Sequence, residues 1–186
     1  MMFSNKVLAG ILLFLGAAWS FMGIIVSEAL YPGYHVTQVI SDLGVGSTAL
    51  IFNSSVIVFG ILLIAAGFLL KKEGLDPWFC RLMALVGIGQ MGVGFFPETM
   101  GVPHIVSAGI VFFFGGILAI MSYRVFPRPW AYISVVLGTI TLVAIVLLEV
   151  KFYAGLGTGG MERMIAYPLL FWVFGSGAIL MDPEKK

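Results

Sequence analysis

Charge is scarce in this sequence. Ten Lys or Arg and nine Asp or Glu stand among 186 residues, so charged side chains make up 10% where a soluble domain carries roughly a quarter. That excludes an ordinary soluble globular domain. Cysteine occurs once, at Cys80, which excludes an internal disulfide and any metal site built from several thiolates. Cys80 reads as a buried or inner-face apolar residue. Histidine occurs only at His35 and His104. The chain has no phosphate-binding glycine loop, no G-x-S-x-G elbow and no basic patch, so no nucleic-acid partner is expected.

What is present is apolar: 60% of the residues are hydrophobic. A helix needs roughly 20 mainly apolar residues to cross the hydrocarbon, and six such runs fit, at about 7–30, 49–70, 78–96, 103–123, 130–150 and 164–181. The expected fold is all-α, a polytopic membrane protein of one domain forming a compact bundle of six transmembrane helices. The first run follows Lys6 as a signal peptide would, but it is longer than a signal core and lacks a small-residue cleavage site, so it reads as a retained span. Six alternating spans put Lys6, Lys71, Lys72, Arg81, Arg124, Arg128, Lys185 and Lys186 on one side, and Lys151 and Arg163 on the other. By the positive-inside rule both termini are cytoplasmic and the location is the cell membrane.

The longest outer connection follows Glu28 and a turn at Tyr31-Pro32-Gly33. Its intermediate polarity between Tyr34 and Thr48 predicts a segment at the interface or one folded back as a short helix. Asn53 opens a glycosylation sequon, but so close to the bilayer it is a poor acceptor. Asn53 and Gln90 read as interhelical hydrogen-bonding amides. Pro103 suits a first helical turn. The glycine-rich stretch Gly155 to Gly160 reads as an outer loop leading into Glu162-Arg163. A phenylalanine-glycine element recurs in spans two, four and six, which raises three hairpins of common design. The glycine pairs Gly16/Gly23, Gly60/Gly67, Gly87/Gly94 and Gly109/Gly116 are spaced to share a helix face, and small residues let helices pack closely in lipid.

The polar groups gather at the outer ends of the spans. Charge within the membrane is costly, so such groups face the bundle interior, pair, or line a wet cavity, which predicts an outward-opening polar pocket. Glu98 and His104 flank a turn at Gly101 and Pro103, close enough in sequence for a carboxylate to orient an imidazole in acid-base work, or for both to cap helix ends. Ser41-Asp42 can supply a nucleophile with a partner or cap the next helix. One of Glu162 and Arg163 is expected to pair with Glu149 or another outer carboxylate, or Arg163 to hold an anionic headgroup. Metal binding would need three or four convergent ligands; His35, Asp42, Glu98 and His104 lack the spacing, and haem between His35 and His104 is disfavoured because both sit at helix ends. No metal and no cofactor is expected.

Ile40-Ser41-Asp42-Leu43-Gly44 with Asn53 after it, Phe96-Pro97-Glu98 with His104 beyond, and Gly160 to Arg163 followed by Tyr167-Pro168 and Trp172 resemble the six-span prokaryotic family catalogued as domain of unknown function 998. The resemblance covers nearly the whole chain and implies a six-helix membrane protein whose shared polar residues cluster on one side. It implies no activity. The leading expectation is a pocket for a lipid headgroup or small amphiphile, with ligand candidates His35, Ser41, Asp42, Asn53, Glu98, His104, Glu162, Arg163 and Tyr167 and with membrane lipids as partners. The other classes are an intramembrane lipid hydrolase using Glu98 and His104, a small-molecule transporter, and a structural or assembly protein.

Overall fold

The computed structural model describes residues 3–182. Lys185 and Lys186, and the polar tail past Asp182, lie outside the described residues. Six long helices carry the chain: α1 (Asn5–Leu30), α2 (Ala49–Lys72), α3 (Pro77–Phe95), α4 (Val102–Met121), α5 (Trp130–Glu149) and α6 (Gly157–Leu180). Each is long and apolar enough to cross a membrane, and no strand is present among the described residues. The physical reason is that hydrocarbon offers backbone groups no partner, so a spanning segment satisfies its own. Ser4 accepts from the Val7 N–H at 3.3 Å to start α1. Asp76 does the same for α3, accepting from Trp78 and Phe79 at 2.8 and 2.9 Å with Pro77 at the first position.

Consecutive helices pack side by side, and α6 closes back on α1. The bundle is not an even ring of six, because α4 also meets α6 directly. Helix α5 therefore lies outside, in the groove between α4 and α6. Only 28% of its most apolar window is buried, against 56% for α6. Two side-chain hydrogen bonds help to hold it there. The Thr141 hydroxyl donates to the Ile165 carbonyl at 3.0 Å, beside Pro168, where α6 has lost a backbone donor. At the other end the Trp130 indole N–H donates to Ser176 at 3.1 Å, over Gly175, where a Cβ would lie 2.0 Å from the ring.

Glycines set the closest approaches, as expected for helices packing in lipid. A Cβ on Gly60 would lie 2.5 Å from the Gly87 carbonyl, and one on Gly87 2.7 Å from that of Gly60. Gly16 and Gly23 face α2, and Gly94 faces the Asn53 carbonyl. The pair Gly109/Gly116 divides: Gly116 meets α5, while a side chain on Gly109 would meet nothing within 4 Å. A crossing of α1 and α6 at Gly10 and Gly177 escapes the seven-residue rule. The recurrent phenylalanine-glycine elements do not build equivalent hairpins, since Gly60 packs on α3, Gly116 on α5 and Gly175 on Trp130.

The last helix departs most from expectation. It begins at Gly157 rather than near residue 164, so Gly159 and Gly160 belong to it instead of to a loop. Gly159 is there for proximity: a Cβ on it would sit 1.9 Å from the Gln38 carbonyl oxygen. The long connection between α1 and α2 lies across this point. It is folded rather than solvated, with a 3-10 turn at Ile40–Gly44 whose Ile40 and Leu43 are 5% and 0% exposed.

Candidate functional site

Between the helices, at the end holding that connection, lies a cavity of about 80 Å³. Its walls come from α1, α2, α3, α4, α6 and the Ile40–Gly44 turn, and none from α5. Most are apolar, such as Phe59, Leu63, Val111 and Val173. Five polar residues face it: Ser41, His104 and Glu162 near the turn, with Ser20 and Gln90 deeper. The connection from Tyr31 to Thr48, here termed the plug, contributes Ile40 and Ser41 to its wall, and several polar residues of this end hold the plug in place.

Arg163 is the main fastener. It is 7% exposed. Its Nη1 donates to the carbonyls of Val36 (2.8 Å), Gln38 (3.0 Å) and Gly159 (2.9 Å). Its Nη2 donates to Glu28 and to the Tyr34 hydroxyl at 2.8 Å. Tyr34 in turn donates to the Val39 carbonyl at 3.0 Å. Burial raises the Tyr34 phenol above its usual value, and the hydrogen bond and charge of Arg163 oppose that. Both terminal nitrogens of the guanidinium are thus spent on the protein, and Nε is buried without a partner. The carboxylate partner is Glu28, not Glu149. Tyr167 lies one turn along α6, edge-to-face with Phe21 at 5.7 Å.

The rest of the plug is pinned at several points. The Ile40 N–H donates to Glu162, the Gly159 N–H to the Thr37 carbonyl at 3.0 Å, and Asn53 Nδ2 to the Gly44 carbonyl at 2.9 Å. Asn53 therefore serves the connection rather than a neighbouring helix, and its Oδ1 is buried without a partner. The Ser41 hydroxyl donates to Glu98 Oε2 at 2.8 Å, which ties the plug to the turn between α3 and α4. Asp42 lies against the same carboxylate. Burial first, and the Glu98 charge and hydrogen bond second, push the Asp42 carboxyl above the ordinary carboxylate range.

His104 takes a different partner from Glu98. Its Nδ1 lies 2.8 Å from the Phe96 carbonyl oxygen. A carbonyl can only accept, so Nδ1 carries a proton, and in the neutral form of the ring Nε2 is left as an acceptor. At 8% exposure, and lining the cavity, this ring is the buried base of the site. His35 stays exposed in the turn, its backbone N–H on Gln38 Oε1 at 2.7 Å. Among the described residues no three His, Cys, Asp or Glu side chains gather to hold a metal ion.

Of the nine residues singled out by sequence, Ser41, Glu162 and His104 line the cavity. Asp42 and Glu98 join Ser41 at its rim, Asn53 and Arg163 fasten the plug, Tyr167 packs beside Arg163, and His35 stands apart. Ser20 was missed because a serine in an apolar helix looks like packing; Tyr34 and Gln38 were missed because nothing local marks a loop residue as the partner of an arginine more than 120 positions away.

Fold and site together define a multi-pass membrane protein whose folded connection between α1 and α2 forms one end of a mostly apolar cavity between the helices. The model for the protein of unknown function DUF998 matches residues 14–179, so the chain belongs to the DUF998 family. No curated protein and no solved structure matches it.

Proposed function

We propose that the protein binds a small amphiphile within the bundle, its polar end beneath the plug and its apolar body between α1, α2, α3, α4 and α6. The observation that carries this reading is the cavity itself, apolar along its length with Ser41, Glu162 and His104 converging at one end. Ligand sites in general combine an apolar lining with a few placed polar groups. The basic residues of the opposite end support cytoplasmic termini and a plug facing outward from the cell membrane. Towards that basic end, past Gln90, the walls become apolar, which favours a dead-end site over a transport path. Lipids of the surrounding bilayer are the nearest source of such a ligand.

Native mass spectrometry of the detergent-purified protein tests this. A retained amphiphile is expected, and replacing Ala108 or Ala166, which line the cavity, by Phe should remove it while the thermal transition persists. An adduct indifferent to both substitutions, or none with any added lipid, would overturn the reading.

A second reading, an intramembrane lipid hydrolase, draws on the Ser41 to Glu98 bond and on His104 in the same cavity. It predicts lipid turnover by the reconstituted protein that Ser41→Ala or His104→Ala abolishes. Binding without turnover leaves only the first reading.

A further inference from the structure

The hydrogen-bonding character of the cavity's polar end narrows what it can take. Glu162 half-faces the cavity and brings a carboxylate that already accepts from the Ile40 N–H. The Ser41 hydroxyl proton is committed to Glu98 at 2.8 Å, so the Ser41 oxygen presents lone pairs. His104, nine-tenths buried, has its one ring proton committed to the Phe96 carbonyl at 2.8 Å, so Nε2 presents a lone pair as well. With Glu162 ionised and His104 neutral, every polar side chain at this end is an acceptor. Among the described residues no cation answers them, because the neighbouring Arg163 is turned away onto Glu28, Tyr34 and three carbonyls. An occupant that only accepts hydrogen bonds would leave the half-buried Glu162 and the buried His104 unpaired, which is costly away from water. An anionic headgroup would add repulsion from Glu162.

Resting on the reading of the cavity as an amphiphile site, we propose that the occupant carries a primary ammonium group, its N–H donors shared between Glu162 and His104 Nε2, on a slender apolar body. Three donors on a compact cation suit two or three convergent acceptors, and an ion paired with a carboxylate away from water is held more tightly than a neutral donor. The body follows α6 from Glu162 to Val173, a run of roughly 16 Å at 1.5 Å per residue, which suits one unbranched chain. A quaternary ammonium has the same charge but no N–H, so the site should discriminate between the two. Either a free long-chain amine or the headgroup of an aminophospholipid supplies this chemistry.

The test is native mass spectrometry of the full chain in mild detergent, titrated separately with dodecylamine, dodecyltrimethylammonium, dodecanol and dodecyl sulfate below their aggregation thresholds. Dodecylamine is expected to bind one per chain, and dodecyltrimethylammonium about tenfold more weakly. Glu162→Gln, which keeps an oxygen for the Ile40 N–H, should lower dodecylamine affinity about tenfold and leave dodecanol unchanged. Equal binding of amine and quaternary probes, preference for the sulfate, or an amine preference that survives Glu162→Gln would overturn the proposal. If Glu162→Gln is not monodisperse, the amine-to-quaternary ratio of the native chain decides alone. Binding of dodecanol without amine preference sinks this inference and leaves the cavity reading standing; binding of none of the four sinks both. Competition with phosphatidylethanolamine then separates the sources: displacement of dodecylamine assigns a lipid headgroup, and its absence a free amine.

Discussion

Arg163 shows how one side chain can organise a membrane protein. An arginine in a span is expensive unless its donors are matched, and here two of its nitrogens bind five acceptors on α1, α6 and the plug. Removing it would strand the Glu28 carboxylate and three carbonyls. Arg163→Ala should therefore lower stability by about 3 kcal/mol, measured by thermal melting in detergent, and Arg163→Lys should recover little of it because an ammonium cannot span the same fork of acceptors. A change no larger than that of an exposed cation such as Lys151 would contradict this role. Asp42 gives a pH dependence with a definite sign. Its carboxyl titrates above the ordinary value of 3.8, through burial and the adjoining Glu98, so the folded state holds its proton to higher pH than the unfolded chain. The stabilisation is complete below the ordinary value and is lost as pH rises through the raised one. Melting temperature should decline as pH rises above 3.8 through the raised value, and Asp42→Asn should flatten the decline.

At the scale of elements, the plug and α5 behave differently. The plug depends on close approach of backbone to α6, so Gly159→Ala must push the Thr37–Gln38 segment away. Limited proteolysis or labelling at His35→Cys should then rise markedly. Gly109→Ala, at a position with open space around it, should be neutral or stabilise by about 0.5 kcal/mol through the helix preference for alanine; a comparable gain at both sites would show that helix propensity rather than clearance decides. Helix α5 contributes nothing to the cavity wall, so Thr141→Val, which removes the bond to the Ile165 carbonyl, should cost about 1 kcal/mol without altering ligand retention. The helices themselves were legible because each apolar run is long enough to span. The start of α6 was not, because glycine in Gly157 to Gly160 reads as flexibility when the residues pressed against it are out of view.

For the whole molecule, the orientation proposed from charge placement can be checked directly. With Cys80→Ser as background, a cysteine at position 35 should react with a membrane-impermeant thiol reagent on intact cells, and one at position 74 only after permeabilisation; the reverse pattern would invert the proposed topology. By itself the sequence determined six helices in alternating direction, an excess of basic residues at one end, and the gathering of polar residues at the other. Those properties are local, since hydrocarbon length and backbone hydrogen bonding act within each segment. Which polar residues meet was decided only by tertiary structure. Glu98 and His104, six apart, take separate partners, while Arg163 and Glu28, 135 apart, are bonded. The exclusion of α5 from the cavity and the seating of the plug at one end of it likewise depend on where glycines allow close contact, and a contact between distant segments is a property of the packed bundle, not of any one of its helices.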